Sequence, residues 1–118
     1  MTVLDTNVIL YHLAGKLAEP LPAANLFISV ISEIELLSYP GLSPEEEAAI
    51  QRLVWGVQVL GVTEDIKTEA ITLRKLHRLK LADSIIAATA ITLRANFLTH
   101  DSALLRVPRL KATAPELG

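Results

Sequence analysis

Short, β-prone apolar runs alternate with helical stretches along the whole of this chain. Strands are predicted over residues 2–4, 26–30, 57–62 and 97–99, with a fifth near 111–113. Helices are predicted between them, over residues 7–13, 32–39, 43–55, 63–77 and 82–94. Punctuation agrees with these bounds. Pro40-Gly41 stops one helix, and Ser43-Pro44-Glu45-Glu46 starts the next with a cap, a proline at the first helical position and acids in the first turn. Thr63 caps the next helix, and Asn96 is expected to end the one after it. Strands that alternate with helices imply a parallel sheet, because each crossover must return over a face of the sheet. The expected fold class is therefore α/β, a three-layer α/β/α arrangement with a four- to five-stranded parallel sheet, in one domain over residues 1–118.

Composition narrows the function. Half the residues (51%) are apolar and few are aromatic, so Leu, Ile, Val and Ala must fill the core. Cysteine is absent, which excludes disulfides, thiolate catalysis and Cys-based zinc sites. The N-terminal segment has no basic region and carries an acid at Asp5, unlike a signal peptide, and no run approaches a membrane span. A soluble cytoplasmic protein is expected. The net charge of −2 hides a cluster of Arg74, Lys75, His77, Arg78 and Lys80, and a second group of Arg106, Arg109 and Lys111. Such clusters are either solvated faces or phosphate-binding surfaces.

Four acids stand out by their settings. Asp5 follows directly on the first strand, and Asp101 follows the fourth, where the rim of a parallel sheet forms its sites. Glu35 lies within Ile34-Glu35-Leu36-Leu37 and Asp83 within Leu81-Ala82-Asp83-Ser84-Ile85-Ile86, so both are acids in apolar helical contexts. Each has a plain structural reading taken alone: a helix cap for Asp5 and Asp83, a turn for Asp101, a solvated helix residue for Glu35. Gathered at one rim they would repel. Two carboxylates about 5 Å apart cost roughly 3 kcal/mol at an effective dielectric near 20, which calls for a cation. All-oxygen ligation favours Mg²⁺ or Mn²⁺ over zinc.

The set Val3-Leu4-Asp5-Thr6-Asn7, Glu35-Leu36-Leu37, Leu81-Ala82-Asp83-Ser84-Ile85-Ile86-Ala87-Ala88-Thr89-Ala90 and Leu98-Thr99-His100-Asp101 resembles the PIN domain, in particular the VapC-like toxins of toxin–antitoxin pairs. The Asp83 to Ala90 and Thr99 to Asp101 stretches are its more specific parts. Many family members have proline where this chain has Ala82. The resemblance implies a PIN-like fold and a Mg²⁺- or Mn²⁺-dependent endoribonuclease, with Asp5, Glu35, Asp83 and Asp101 as catalytic and metal-binding acids. It implies that Thr99 is the hydroxyl residue of the site. Glu33 competes with Glu35, but two residues on a helix point about 200° apart, so only one can face the cluster; Leu36-Leu37 favours Glu35.

Under this reading a metal-activated water hydrolyses an RNA phosphodiester. Glu35 orients or deprotonates that water, and Thr99 and Asn7 position waters or the phosphate. Arg74, Lys75, Arg78 and Lys80 would hold the RNA backbone. The implied partners are RNA, a second copy of the chain in a homodimer, and a small antitoxin protein. The alternative is a catalytically silent PIN-like module that binds RNA or protein; such a module would lack one or more of the acids, and all four are present. A phosphoaspartyl enzyme would want an acid at position 7, which is Asn, and a Rossmann nucleotide site would want a glycine-rich loop after the first strand.

Overall fold

The computed structural model describes all 118 residues. In chain order the elements are β1 (Thr2–Leu4), α1 (Thr6–Leu13), β2 (Leu26–Ser29), α2 (Val30–Leu37), α3 (Pro44–Trp55), β3 (Gln58–Leu60), α4 (Glu64–His77), α5 (Leu81–Leu93), β4 (Asn96–Leu98), α6 (Ser102–Leu105) and β5 (Lys111–Thr113). The five strands form one sheet in the order β3-β2-β1-β4-β5, and every pairing is parallel. This is the α/β fold the alternation implies. No helix is long and apolar enough to cross a membrane.

The three layers follow from the two-residue period of the strands. Val3, Phe27 and Phe97 point into one core with Ile66, Leu73, Ile86 and Leu104, beneath α4, α5 and α6. Their neighbours Leu4 and Ile28 point the other way, into a second core with Val8, Ile9, Leu36, Ile50 and Val54 from α1, α2 and α3. Helix α5 lies over β1, β2 and β4 and packs along α4. Its small residues Ala87, Ala88 and Ala90 are fully buried, which lets its backbone come close to the sheet.

Element ends are set by caps. Ser43 and Glu46 make a reciprocal capping box at α3, with Pro44 in the first turn. Thr63 accepts from the Ile66 N–H at the start of α4. Several bounds differ from expectation. Helix α2 begins at Val30 and not at residue 32, because Ser29 caps it by accepting from the Ile31 N–H. Helix α5 starts at Leu81 with no side-chain cap, so Asp83 sits inside its first turn and does not cap it. The same helix ends at Arg94, which adopts the left-handed conformation (φ 53°), and Asn96 begins β4 instead of ending α5. Strand β3 is shorter than expected and leaves Gly61 outside it. Short α6 was not expected; Asp101 creates it as an N-cap.

Candidate metal centre

The strand order places β1 at the centre of the sheet. From it the chain crosses first toward β2 and later returns on the other side to β4, so the carboxyl ends of β1 and β4 border the crevice where connections diverge. Asp5 directly follows β1, and Thr99 to Asp101 directly follow β4. A polar cleft of about 340 Å³ opens there, and all four predicted acids, Asp5, Glu35, Asp83 and Asp101, line it together with Asn7. Thr6, Ser38, Tyr39 and Pro40 complete its wall. Glu33 does not reach the cleft.

Asp5 is the most fixed of the acids. It is buried and caps α1, with Oδ1 accepting the Thr6 backbone N–H at 2.8 Å and Oδ2 accepting the Thr99 hydroxyl at 2.6 Å. Burial pushes its carboxyl above the ordinary value; the hydrogen bonds from Thr99 and Thr6 oppose this, and the charges of Asp101 and Glu35 push it up further. Thr99 is itself fully buried and accepts the Asp101 backbone N–H at 3.0 Å, so it links two of the acids.

Asp101 caps α6 through Oδ1, which accepts from the N–H groups of Ala103 and Leu104. Glu35 accepts the Thr6 hydroxyl at 2.6 Å through Oε1. Asp83 accepts no hydrogen bond from the protein. Burial raises its carboxyl, the charges of Asp101, Asp5 and Glu35 raise it further, and Lys80 pulls it down. The mutual repulsion expected of gathered acids is therefore present at Asp5 and Asp83.

No three of the acids converge on one point as a ready-made metal cage. The donor set is nevertheless that of a hard divalent cation: four carboxylates beside amide and hydroxyl groups, no sulfur or imidazole on the cleft wall, and like charges that disfavour one another's ionised forms at Asp5 and Asp83. Asp5 and Asp101 each spend oxygens on fixed donors, whereas Asp83 keeps both of its own. The residues fit such an ion.

Arg74, Lys75, Arg78 and Lys80 line no part of the cleft. Arg74 turns its Nε to the Leu79 carbonyl and borders a separate, largely apolar groove between α4 and α5. Arg78 takes the left-handed conformation that ends α4. Of the four, Lys80 is the one whose charge lowers the Asp83 carboxyl. In the second basic group, Arg109 pairs with Glu69 of α4.

Sequence reasoning gave no role to Thr6 or Ser32. The Thr6 hydroxyl lies 2.9 Å from that of the fully buried Ser32, as well as against Glu35. A usable signal existed: Ser32 and Glu35 are three apart on one helix and so share a face. His100 sits beside the site, its ring edge-on to Tyr11 at 5.3 Å and its Nε2 buried without a partner.

Comparison with family profiles matches residues 2–110 to the PIN domain. The chain belongs to the PIN domain family. No curated protein matches it. Among solved structures, this PIN chain is similar to one from a toxin–antitoxin complex of Klebsiella pneumoniae, 23% identical with 98% of each chain covered and a TM-score of 0.81. A chain from VapBC-1 of nontypeable Haemophilus influenzae is 29% identical, with 96% of each chain covered and a TM-score of 0.73. A chain from DNA-bound VapBC of Salmonella typhimurium is 21% identical, again with 96% of each chain covered, at a TM-score of 0.81. The four cleft acids of this chain thus stand on a fold shared over its length.

Proposed function

We propose that this PIN protein is a Mg²⁺- or Mn²⁺-dependent endoribonuclease and the toxin of a toxin–antitoxin pair. The observation that carries the reading is the convergence of four acids, from β1, α2, α5 and the turn after β4, on one polar cleft. Family membership and the toxin–antitoxin complexes among the solved structures support it.

Asp5, Asp83, Asp101 and Glu35 would hold the metal. A bound divalent ion lowers the pKa of its water and offsets charge on the phosphate. Asp5, immobilised by Thr6 and Thr99, serves as the fixed ligand, and Asp83 as the adjustable one. Glu35 orients the attacking water. Asn7, on the open wall of the cleft, contacts the scissile phosphate, whereas Thr99, fully buried and absent from the cleft wall, serves to hold Asp5. Lys80, at the start of α5, is the first cation met by an RNA strand leaving past Asp83, with Lys75 and Arg78 farther along the backbone path, while Arg74 is held by the Leu79 carbonyl.

The reading includes a small antitoxin partner, as in the complexes above, and a homodimer. Exposed Val62, Ile71 and Leu81, which border one apolar groove, support an apolar contact between copies.

A catalytically silent RNA-binding module is the second reading, favoured by the lack of a preformed three-acid cage. One experiment separates the two. RNA cleavage is measured with Mg²⁺ or Mn²⁺ for the wild type, Asp5→Asn and Asp83→Asn, with folding checked by circular dichroism. Metal-dependent cleavage that drops at least 100-fold in both variants supports the nuclease. Binding without cleavage supports the silent module, and equal cleavage in all three rules out this site.

A further inference from the structure

Thr6 holds two acids of the cleft at once. Its backbone N–H donates to Asp5 Oδ1, and its hydroxyl lies 2.6 Å from Glu35 Oε1 and 2.9 Å from Ser32 Oγ. A hydroxyl has one proton to give, and a carboxylate can only accept. The Thr6 proton therefore goes to Glu35, and the contact with Ser32 is satisfied only if the Ser32 hydroxyl donates to Thr6. The result is a one-way chain, Ser32 to Thr6 to Glu35, that crosses from α2 to α1 and back.

We propose that Ser32 and Thr6 are positioning residues that commit Glu35 Oε1 to the protein and leave Oε2 facing the cleft as the oxygen available to a divalent cation and its water. This rests on the metal-site reading above.

Three features point beyond simple helix packing. A bridge between α1 and α2 needs only the Thr6–Ser32 pair, yet the remaining proton is spent on a cleft acid. Ser32 is fully buried and makes no other hydrogen bond, although a helical serine commonly bonds back to the preceding turn. Finally, successive donors in a buried chain polarise one another, so the bond reaching Glu35 is strengthened by the one behind it.

The test uses Mn²⁺ alone as the probe, with binding read from loss of the free-ion electron paramagnetic resonance signal. Thr6→Val keeps the shape and removes the hydroxyl; Thr6→Ser restores it. Thr6→Val is expected to weaken Mn²⁺ binding about tenfold, the scale of one hydrogen bond to a charged group, and Thr6→Ser to return it to within about twofold. In a Glu35→Ala background Thr6→Val should have no further effect, because the hydroxyl then has no carboxylate to hold. Ser32→Ala, a milder change, should weaken binding about twofold in the wild type and not at all in Glu35→Ala. Equal losses with and without Glu35, or no loss from Thr6→Val in a wild type that binds Mn²⁺, would overturn the positioning role while leaving the metal site intact. A wild type that binds no Mn²⁺ would overturn both.

Discussion

The Thr99 hydroxyl donates to Asp5 Oδ2 across 94 residues of sequence, at 2.6 Å, and so ties the end of β4 to the end of β1. Because Thr99 also accepts the Asp101 N–H, Thr99→Val strips one partner from each of two acids. The loss of buried hydrogen bonds is expected to cost about 1–3 kcal/mol of stability, read by urea denaturation. It should also move the Asp5 carboxyl still higher, since the Thr99 bond opposes the effect of burial; carboxyl NMR titration would register the shift.

Asp5 and Asp83 both have folded-state pKa values raised above the ordinary 3.8. The folded protein therefore holds more protons than the unfolded chain between 3.8 and the raised values, and these two groups make stability fall as pH rises through that window. Below it their penalty is absent; above it the penalty is complete. Metal-free Asp83→Asn is accordingly expected to melt at a higher temperature than the wild type at pH 7, with the gap closing near pH 3. A gap that persists at pH 3 would mean that the charge of Asp83 is not its cause.

Divalent cation should act on the same repulsion. Added Mg²⁺ is expected to raise the melting temperature of the wild type at pH 7, by an amount that grows with concentration, and to do much less for Asp83→Asn. Calorimetry with Mg²⁺, and with Na⁺ at matched ionic strength, distinguishes site binding from general screening.

Fully buried Ala87 in α5 sits between that helix and the sheet. Ala87→Leu adds volume where the backbone approach is close and is expected to destabilise by about 1–3 kcal/mol. Since α5 carries Asp83, Mn²⁺ binding should weaken as well, which the resonance assay would detect.

Much of this arrangement was legible in the sequence for definable reasons. Asp5 and Asp101 follow apolar strands, and in a parallel sheet that position alone brings them to one rim. The helix period allows only one of Glu33 and Glu35 to face the cleft, the following Leu36-Leu37 favours Glu35, and Glu35 is the one that lines it. Local chemistry misled at the helix ends. Asn96 looked like a terminator, but Arg94 accepts the left-handed conformation and frees Asn96 to pair with β1 and β5. The basic run before α5 was not placeable from charge alone: Arg74 is turned away by the Leu79 carbonyl, a contact that exists only once the α4–α5 turn has formed. The spacing of Ser32 and Glu35 puts both on one helix face, but the role of Thr6 depends on α1 meeting α2, which no local pattern encodes.

The central position of β1 has a consequence for how the protein comes into being on the ribosome. Residues 2–4 are made before either of their neighbouring strands, and the second of these, Asn96–Leu98, follows far along the sequence. Until then β1 has an unpaired edge and Asp5 lacks both Thr99 and Asp101. Such long-range pairing is slow to form, and the cleft cannot exist on a nascent chain that stops short of residue 101. The four acids thus come together only after Asp101 has been made, an order set by strand pairing and not by any one residue.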